Sequence, residues 1–186
     1  SHPPKKNPGF VGLFSGAIDI PAGEKAYVIR DRFVLPVDAK LLTIGPHAHF
    51  LGKEILSWAV FPDGSKKWLL RIDDWDFNWQ NSYTFTEPVV LPKGTTLHMR
   101  HTFDNTAENP RNPSVPPKRV RLGRKSADEM AEIAFTMLVN NARDKDALRA
   151  EYRRKYQSLI VEQHHFLNEC DPENAESHYN LGVDYQ

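Results

Sequence analysis

The 186-residue chain contains one cysteine, Cys170. An internal disulfide and a cysteine-rich zinc centre are therefore excluded, and any metal must be held by His, Met or carboxylate. A surplus of charge is also missing: 24 Lys and Arg balance 24 Asp and Glu. Nucleic-acid binders held by counterion release carry a basic bias, so that partner class is not expected. No apolar run approaches the roughly 20 residues of a spanning helix, and no membrane span is expected. The opening Ser1-His-Pro-Pro-Lys-Lys-Asn-Pro-Gly-Phe10 shows no apolar leader-like stretch. A hydrophobic fraction of 40% with a mean hydropathy of −0.56 fits a globular chain rather than a membrane or disordered one. One thiol does not fix the compartment.

Proline and glycine punctuate the first two thirds. Pro21-Ala-Gly23, Pro62-Asp-Gly64, Pro92-Lys-Gly94 and the segment from Asn109 to Pro117 read as turns or loops. Between them lie runs rich in β-branched and aromatic residues: Ala26–Val34, Leu41–Phe50, Ile55–Phe61, Lys67–Asp73, Tyr83–Val90, Thr95–Phe103 and Glu129–Val139. Strands at such spacing predict a mainly β fold, an antiparallel sandwich of jelly-roll type. In Trp75-Asp-Phe-Asn-Trp79 the alternation predicts three aromatics on one face. After about Asn140 the pattern changes. Glycine and proline vanish from Asp144 to Glu169, and Leu148, Tyr152, Tyr156, Leu159, Ile160, Phe166 and Leu167 fall near helical spacing. Asp171-Pro172 then marks a break. The last stretch, with Leu181-Gly182 followed by Tyr185, resembles the first helix of a tetratricopeptide repeat. One incomplete repeat cannot bury its own apolar face, so a longer protein is expected, or a self-capping end, with a protein partner for the tail. The division expected is 1–13 as an N-terminal extension, 14–139 as the sandwich, and 140–186 as a helical extension.

The strongest local signal is Pro46-His47-Ala48-His49-Phe50-Leu51-Gly52-Lys53. Histidines at i and i+2 on a strand leave the same face and can share a metal ion. By spacing alone the motif also fits two surface or hydrogen-bonded histidines. Candidates for a third donor are His98, His101, Met99, Met130, Met137 and nearby carboxylates. In the segment from Asp128 to Leu138, Met137 falls on the apolar face with Ala131, Ile133 and Phe135. Met130 falls on the polar face, an odd place for a thioether without a role. In the segment from Thr96 to Phe103, Met99 and His101 share the apolar face and form the runner-up donor pair. Two imidazoles with a thioether are a soft, mixed set that suits copper better than magnesium, calcium or zinc.

From about Phe14 to Val139 the sequence resembles the C-terminal catalytic domain of the copper type II, ascorbate-dependent monooxygenases. This is the family of peptidylglycine α-hydroxylating and dopamine β-monooxygenases. Four pieces carry the resemblance in order: Ile20-Pro-Ala-Gly-Glu-Lys25, His47-Ala-His49-Phe-Leu-Gly-Lys53, Gly94-Thr-Thr-Leu97 and Ser126-Ala-Asp-Glu-Met130. Trp75-Asp-Phe-Asn-Trp-Gln80 and the segment from Phe103 to Pro113 resemble the bacterial branch, where such domains are often fused to other modules.

The resemblance implies a copper held by His47, His49 and Met130. It implies hydroxylation of a C–H bond in a small organic or peptide substrate with O2, the electrons coming from ascorbate or another reductant. It implies a second, electron-delivering copper domain upstream, and by analogy a periplasmic or extracytoplasmic place. Asp128, Glu129 and Glu132 are candidates to orient the imidazoles, with exposed strand carboxylates as the plainer reading. Where the peptide-amidating enzyme grips its peptide with Arg and Tyr, this chain has Gly45 and Ala134, so a C-terminal glycine peptide is not expected. His164-His165 is read as an exposed helical pair rather than an electron-delivery site, because helical neighbours diverge by roughly 100°. Asp73, Asp74 and Asp76 lack calcium-loop spacing and read as a solvated turn. Two alternatives remain: a non-catalytic copper-binding or electron-transfer domain, and a scaffold acting through its tail.

Overall fold

A computed structural model describes residues 7–170. Ten strands and one helix follow in order. They are β1 (Asn7–Phe14), β2 (Asp19–Ile20), β3 (Tyr27–Val34), β4 (Ala39–His47), β5 (Gly52–Val60), β6 (Lys66–Ile72), β7 (Tyr83–Leu91), β8 (Thr96–Phe103), β9 (Val120–Arg121), β10 (Glu132–Val139) and α1 (Ala142–Cys170). One four-stranded sheet runs β1-β10-β4-β7 and the other β3-β8-β5-β6, with β2 and β9 forming a small ladder beside them. All the ladders are antiparallel. Among the eight long strands the first pairs with the last, the second with the seventh, the third with the sixth and the fourth with the fifth. That nested pairing is one long hairpin rolled on itself, the jelly-roll form of the antiparallel sandwich.

All seven expected strands are present, most within a few residues of their expected ends. The sandwich also takes in Asn7–Phe14, most of the segment expected to precede it. That strand pairs with β10 along its full length, Asn7 opposite Val139 and Phe14 opposite Glu132. Its Val11 and Leu13 enter the core, whereas Gly9 and Gly12 dilute the β signal that the sequence offers there.

The alternation read from the sequence holds in β8 and β10. Leu97, Met99, His101 and Phe103 point inward, as do Ile133, Phe135, Met137 and Val139. Met99 and Met137 are therefore core residues. The Trp75–Trp79 segment differs from its expectation, because it is a loop and its aromatics do not share a face. Trp75 is buried and Trp79 is 74% exposed. The Asp76 carboxylate accepts the Asn78 N–H at 2.9 Å, and the Asp76 carbonyl accepts the Trp79 N–H at 2.9 Å. An aspartate that turns the chain in this way overrides the period-two pattern.

The helix starts where Asn141 caps it, its side-chain oxygen accepting the Asp144 N–H at 2.9 Å. Leu148 is buried in the core, Tyr152 meets Phe33 and Phe10, and Tyr156 meets Phe14. The first half of α1 thus covers the side of the sandwich where edge strands β1 and β3 lie. His164 and His165 fall on this helix, but their side chains lie outside the described residues. So does the tetratricopeptide-like stretch 171–186. No described helix is long and apolar enough to cross a membrane.

Candidate metal centre

Strand β4 ends at His47, and the chain then turns through Ala48, His49 and Phe50. The two imidazoles lie edge to face with centroids 5.1 Å apart. Two rings bound to one ion through Nε2 at about 2.0–2.1 Å, in a roughly tetrahedral arrangement, would have centroids roughly 5 Å apart. The spacing therefore suits a shared ion.

Each ring has its other nitrogen engaged. His47 Nδ1 lies 2.6 Å from Gln80 Oε1. The Gln80 amide is oriented by its own nitrogen, which donates to the Phe77 carbonyl at 2.9 Å, so oxygen faces His47. His49 Nδ1 lies 3.1 Å from the Asp128 carbonyl. Both acceptors are oxygens, so each Nδ1 carries the proton and each Nε2 keeps its lone pair. An acceptor behind one nitrogen is how proteins orient a metal-binding imidazole. Burial pushes the His49 pKa below the usual imidazole value, against the pull of backbone groups at Asp128 and Lys125. Phe77 walls the site, 5.5 Å from the His49 ring and 4.6 Å from Phe50.

Glu129 holds the turn. It is fully buried, not an exposed strand carboxylate. Its Oε1 accepts the N–H groups of both His49 and Met130, the latter at 2.9 Å, and its Oε2 accepts the Leu51 N–H at 3.0 Å. Burial pushes this carboxyl up to about 7, although three N–H groups pull the other way. Of the other two candidate orienting groups, Asp128 acts through its backbone carbonyl rather than its carboxylate. Glu132 stands beside His47 across the β4–β10 ladder.

The trailing Leu-Gly-Lys is explained piece by piece. Leu51 is buried and its N–H binds Glu129. A Cβ on Gly52 would come within 2.6 Å of the Trp75 ring, which is itself buried and donates to the His49 carbonyl at 3.2 Å. Lys53 pairs with Asp104 at 3.2 Å. The loop after β8 braces the same wall, with Arg111 bound to the Asp74 carboxylate and the Trp75 carbonyl.

Met130 precedes β10 instead of lying within it. Its main chain meets that of His49 at one carboxylate oxygen. Met130 is among the residues lining a cavity of about 200 Å³, with Phe14, Leu122, Glu132, Tyr152 and Tyr156, and neither His47 nor His49 lines that cavity. Met99 and His101, the runner-up pair, lie in the core. His101 is fully buried with neither ring nitrogen in a well-formed hydrogen bond, and burial pushes its pKa down to about 3 against the weak pull of the His47 backbone. Among the described residues, no three side chains of His, Cys, Asp or Glu converge into a metal-holding group. At Gly45 the outer face is closed by Ser82, whose Oγ lies 3.0 Å from where a Cβ would stand.

Gln80, Phe77 and Trp75 complete the site without any spacing rule pointing to them. They come from a loop more than twenty residues from the histidine pair, and only the compact Trp-Asp-Phe-Asn-Trp-Gln run marked that loop out.

No protein-family model and no curated protein matches this sequence. Among solved structures, the chain is similar to a chain of an infectious bursal disease virus particle at 8% identity, covering 76% of this chain and 33% of that one with a TM-score of 0.34. A chain of the Gt strain of the same virus is similar at 8% identity over 74% and 42%, with a TM-score of 0.32. A Gx-strain chain is similar at 8% over 78% and 44%, with a TM-score of 0.31. This chain spans a third to under half of those chains, and likenesses of that size bear on neither family nor function.

Proposed function

We propose that this chain is the copper-binding domain of an O2-dependent monooxygenase that hydroxylates a C–H bond. The observation that carries the reading is the ring pair: the His47 and His49 centroids lie 5.1 Å apart, each ring with Nδ1 at hydrogen-bond distance from an oxygen. Met130 is the proposed third ligand. Its main chain is joined to that of His49 through Glu129, and a thioether beside two imidazoles suits a copper that cycles between its two oxidation states.

When bound, copper supplies one-electron redox chemistry and a place for O2. The residues of the chain do the rest. Gln80 and the Asp128 carbonyl hold the rings in one tautomer. Glu129 fixes the turn that presents His49, and Phe77 shields the His49 ring from water. One oxygen atom enters the C–H bond and the other leaves as water, with two electrons and two protons from ascorbate or another reductant. An upstream copper domain is the proposed relay for those electrons, and an extracytoplasmic place follows by analogy.

X-ray absorption of the copper-loaded, reduced protein tests the ligand set. The expected result is a sulfur scatterer lost in Met130→Ala and kept in Met99→Ala, with high-affinity binding abolished in the His47→Ala/His49→Ala double variant. Copper affinity that survives the double variant would overturn the proposal. A bound copper that hydroxylates nothing when reduced and exposed to O2, with candidate substrates and an electron-delivery partner supplied, would leave a binding or electron-transfer domain.

A further inference from the structure

We propose a second binding site, for an acidic polysaccharide, on the outer face of the β3-β8-β5-β6 sheet. The register sets one row across all four strands: Arg32 opposite His98, His98 opposite Trp58, and Trp58 opposite Trp68. At about 4.8 Å between strands the row is roughly 14 Å long, the scale of a short oligosaccharide. The His98 and Trp58 rings stack at 5.0 Å and 4°, and the Lys66 ammonium sits 5.5 Å from the Trp58 ring centre. Trp68 is 57% exposed on the edge strand, a large aromatic with no core to serve. Arg30, Asp31, Arg32, Trp58, His98 and Met99 line a groove of about 410 Å³ here.

Charge selects an anion. The chain has no net charge, yet Arg30, Arg32 and Lys66 gather around this row. The nearby carboxylates are already engaged. Glu54 pairs with Arg100 at 2.9 Å, and Asp31 is held by Lys155 and by the Phe14 N–H. Like charges crowded without an intramolecular counterion are stabilised by an external one. The aromatic geometry favours sugar over nucleic acid. Base stacking needs several open ring faces, and Trp58 has one face against His98 and Lys66 at its ring. Exposed Trp68 offers one face on which the C–H side of a pyranose can lie, while the arginines meet carboxylate or sulfate groups on neighbouring sugars.

Affinity electrophoresis of the chain through gels containing polygalacturonate, heparin, neutral dextran or poly-dT tests this. The expected result is retardation by an acidic polysaccharide and none by dextran. The dissociation constant should weaken at least fivefold in Trp68→Ala and in Arg32→Ala, both surface changes that leave the core intact. No retardation by either acidic polysaccharide would overturn the proposal, as would retardation unchanged in both variants or tighter binding to poly-dT. None of these outcomes depends on copper, so failure here and failure of the oxygenase reading remain distinct.

Discussion

At the end of β4 two imidazoles each give Nδ1 to an oxygen, while in β8 His101 is fully buried with neither ring nitrogen in a well-formed hydrogen bond. The two regions use the same side chain on opposite sheets. The first is organised by polar groups from two other segments: Gln80 from one, the Asp128 carbonyl and the Glu129 carboxylate from the other. The second lies largely in apolar core, with Ile29 and Ile55 as its cross-strand neighbours, Phe103 stacked 6.1 Å away, and the His47 backbone as a weak polar partner. A group that fixes the proton of a histidine prepares it to serve as a ligand, and a histidine with no such group is an awkward core residue. What distinguishes the two is the group behind the ring, and that group is remote in sequence.

Removing the organiser from the first region should have the largest effect. Glu129→Ala strands the N–H groups of His49, Leu51 and Met130 in a buried turn. Unpaired buried donors cost about 1–3 kcal/mol each before relaxation, so a loss of about 3–5 kcal/mol is expected from urea unfolding of the apo protein at pH 7. Glu129→Gln keeps an acceptor and should cost about 1–2 kcal/mol. A loss below about 1 kcal/mol in the alanine variant would mean that the turn does not depend on this carboxylate.

The second region should respond in the opposite direction. His101→Leu removes two ring nitrogens that lack well-formed hydrogen bonds and should stabilise the fold by about 1–2 kcal/mol at pH 7. The pH dependence sharpens the test. His101 titrates near 3 when folded, against an ordinary 6.5. Between those values the unfolded chain binds the proton and the folded chain does not. This site's contribution is therefore intact above about pH 6.5 and is lost as pH falls toward 3, by up to about 1.4 kcal/mol per pH unit. In the variant that part of the acid limb should flatten. Copper affinity should stay the same; a variant that no longer binds copper would restore Met99 and His101 as the donor pair.

The sequence disclosed the sandwich because buried strands leave a period-two trace. Leu97, Met99, His101 and Phe103 alternate with Thr96, His98, Arg100 and Thr102, and the sheet faces follow. It disclosed the helix because Leu148 and Tyr152 recur at four-residue spacing. It did not disclose the first strand, where two glycines thin the pattern. At the site, His47 and His49 were legible because their spacing is local. Gln80 was not, since nothing in a sequence says that residue 80 will sit behind residue 47. Trp75 to Trp79 misled, because alternating aromatics look like a strand until Asp76 turns the chain.

A smaller and more selective effect is expected at Gln80. Gln80→Leu removes the acceptor that fixes the His47 proton and leaves the core untouched. Copper affinity should fall about tenfold or more, the usual cost of losing the partner behind a metal-bound imidazole. Apo stability should move by no more than about 0.5 kcal/mol, because Gln80 is exposed. Competition titration with a copper chelator and thermal unfolding of the same preparations separate the two. Unchanged affinity would mean that the tautomer at His47 is not what prepares the site.

The smallest effect belongs to a surface counterpart of the buried clamp. Asp19 is held below the usual carboxylate range first by its hydrogen bond to Arg119 and further by the charges of Arg119 and Arg121, which together fasten β2 to β9. Here the carboxylate is favoured by folding, so its contribution is present above the unfolded value of about 4 and fades as pH falls below it. Arg119 is 58% exposed, and screening by water and salt limits what the pair is worth. Asp19→Asn should therefore cost only about 0.5–1 kcal/mol at pH 7, less at high salt and progressively less as pH falls below about 4. Thermal unfolding of both proteins across that range decides the matter. A difference that does not shrink as pH falls below about 4 would assign Asp19 to the packing of the β2–β9 ladder. One that shrinks there would show that a carboxylate at this rim stabilises by charge, whereas Glu129 stabilises by satisfying three buried donors.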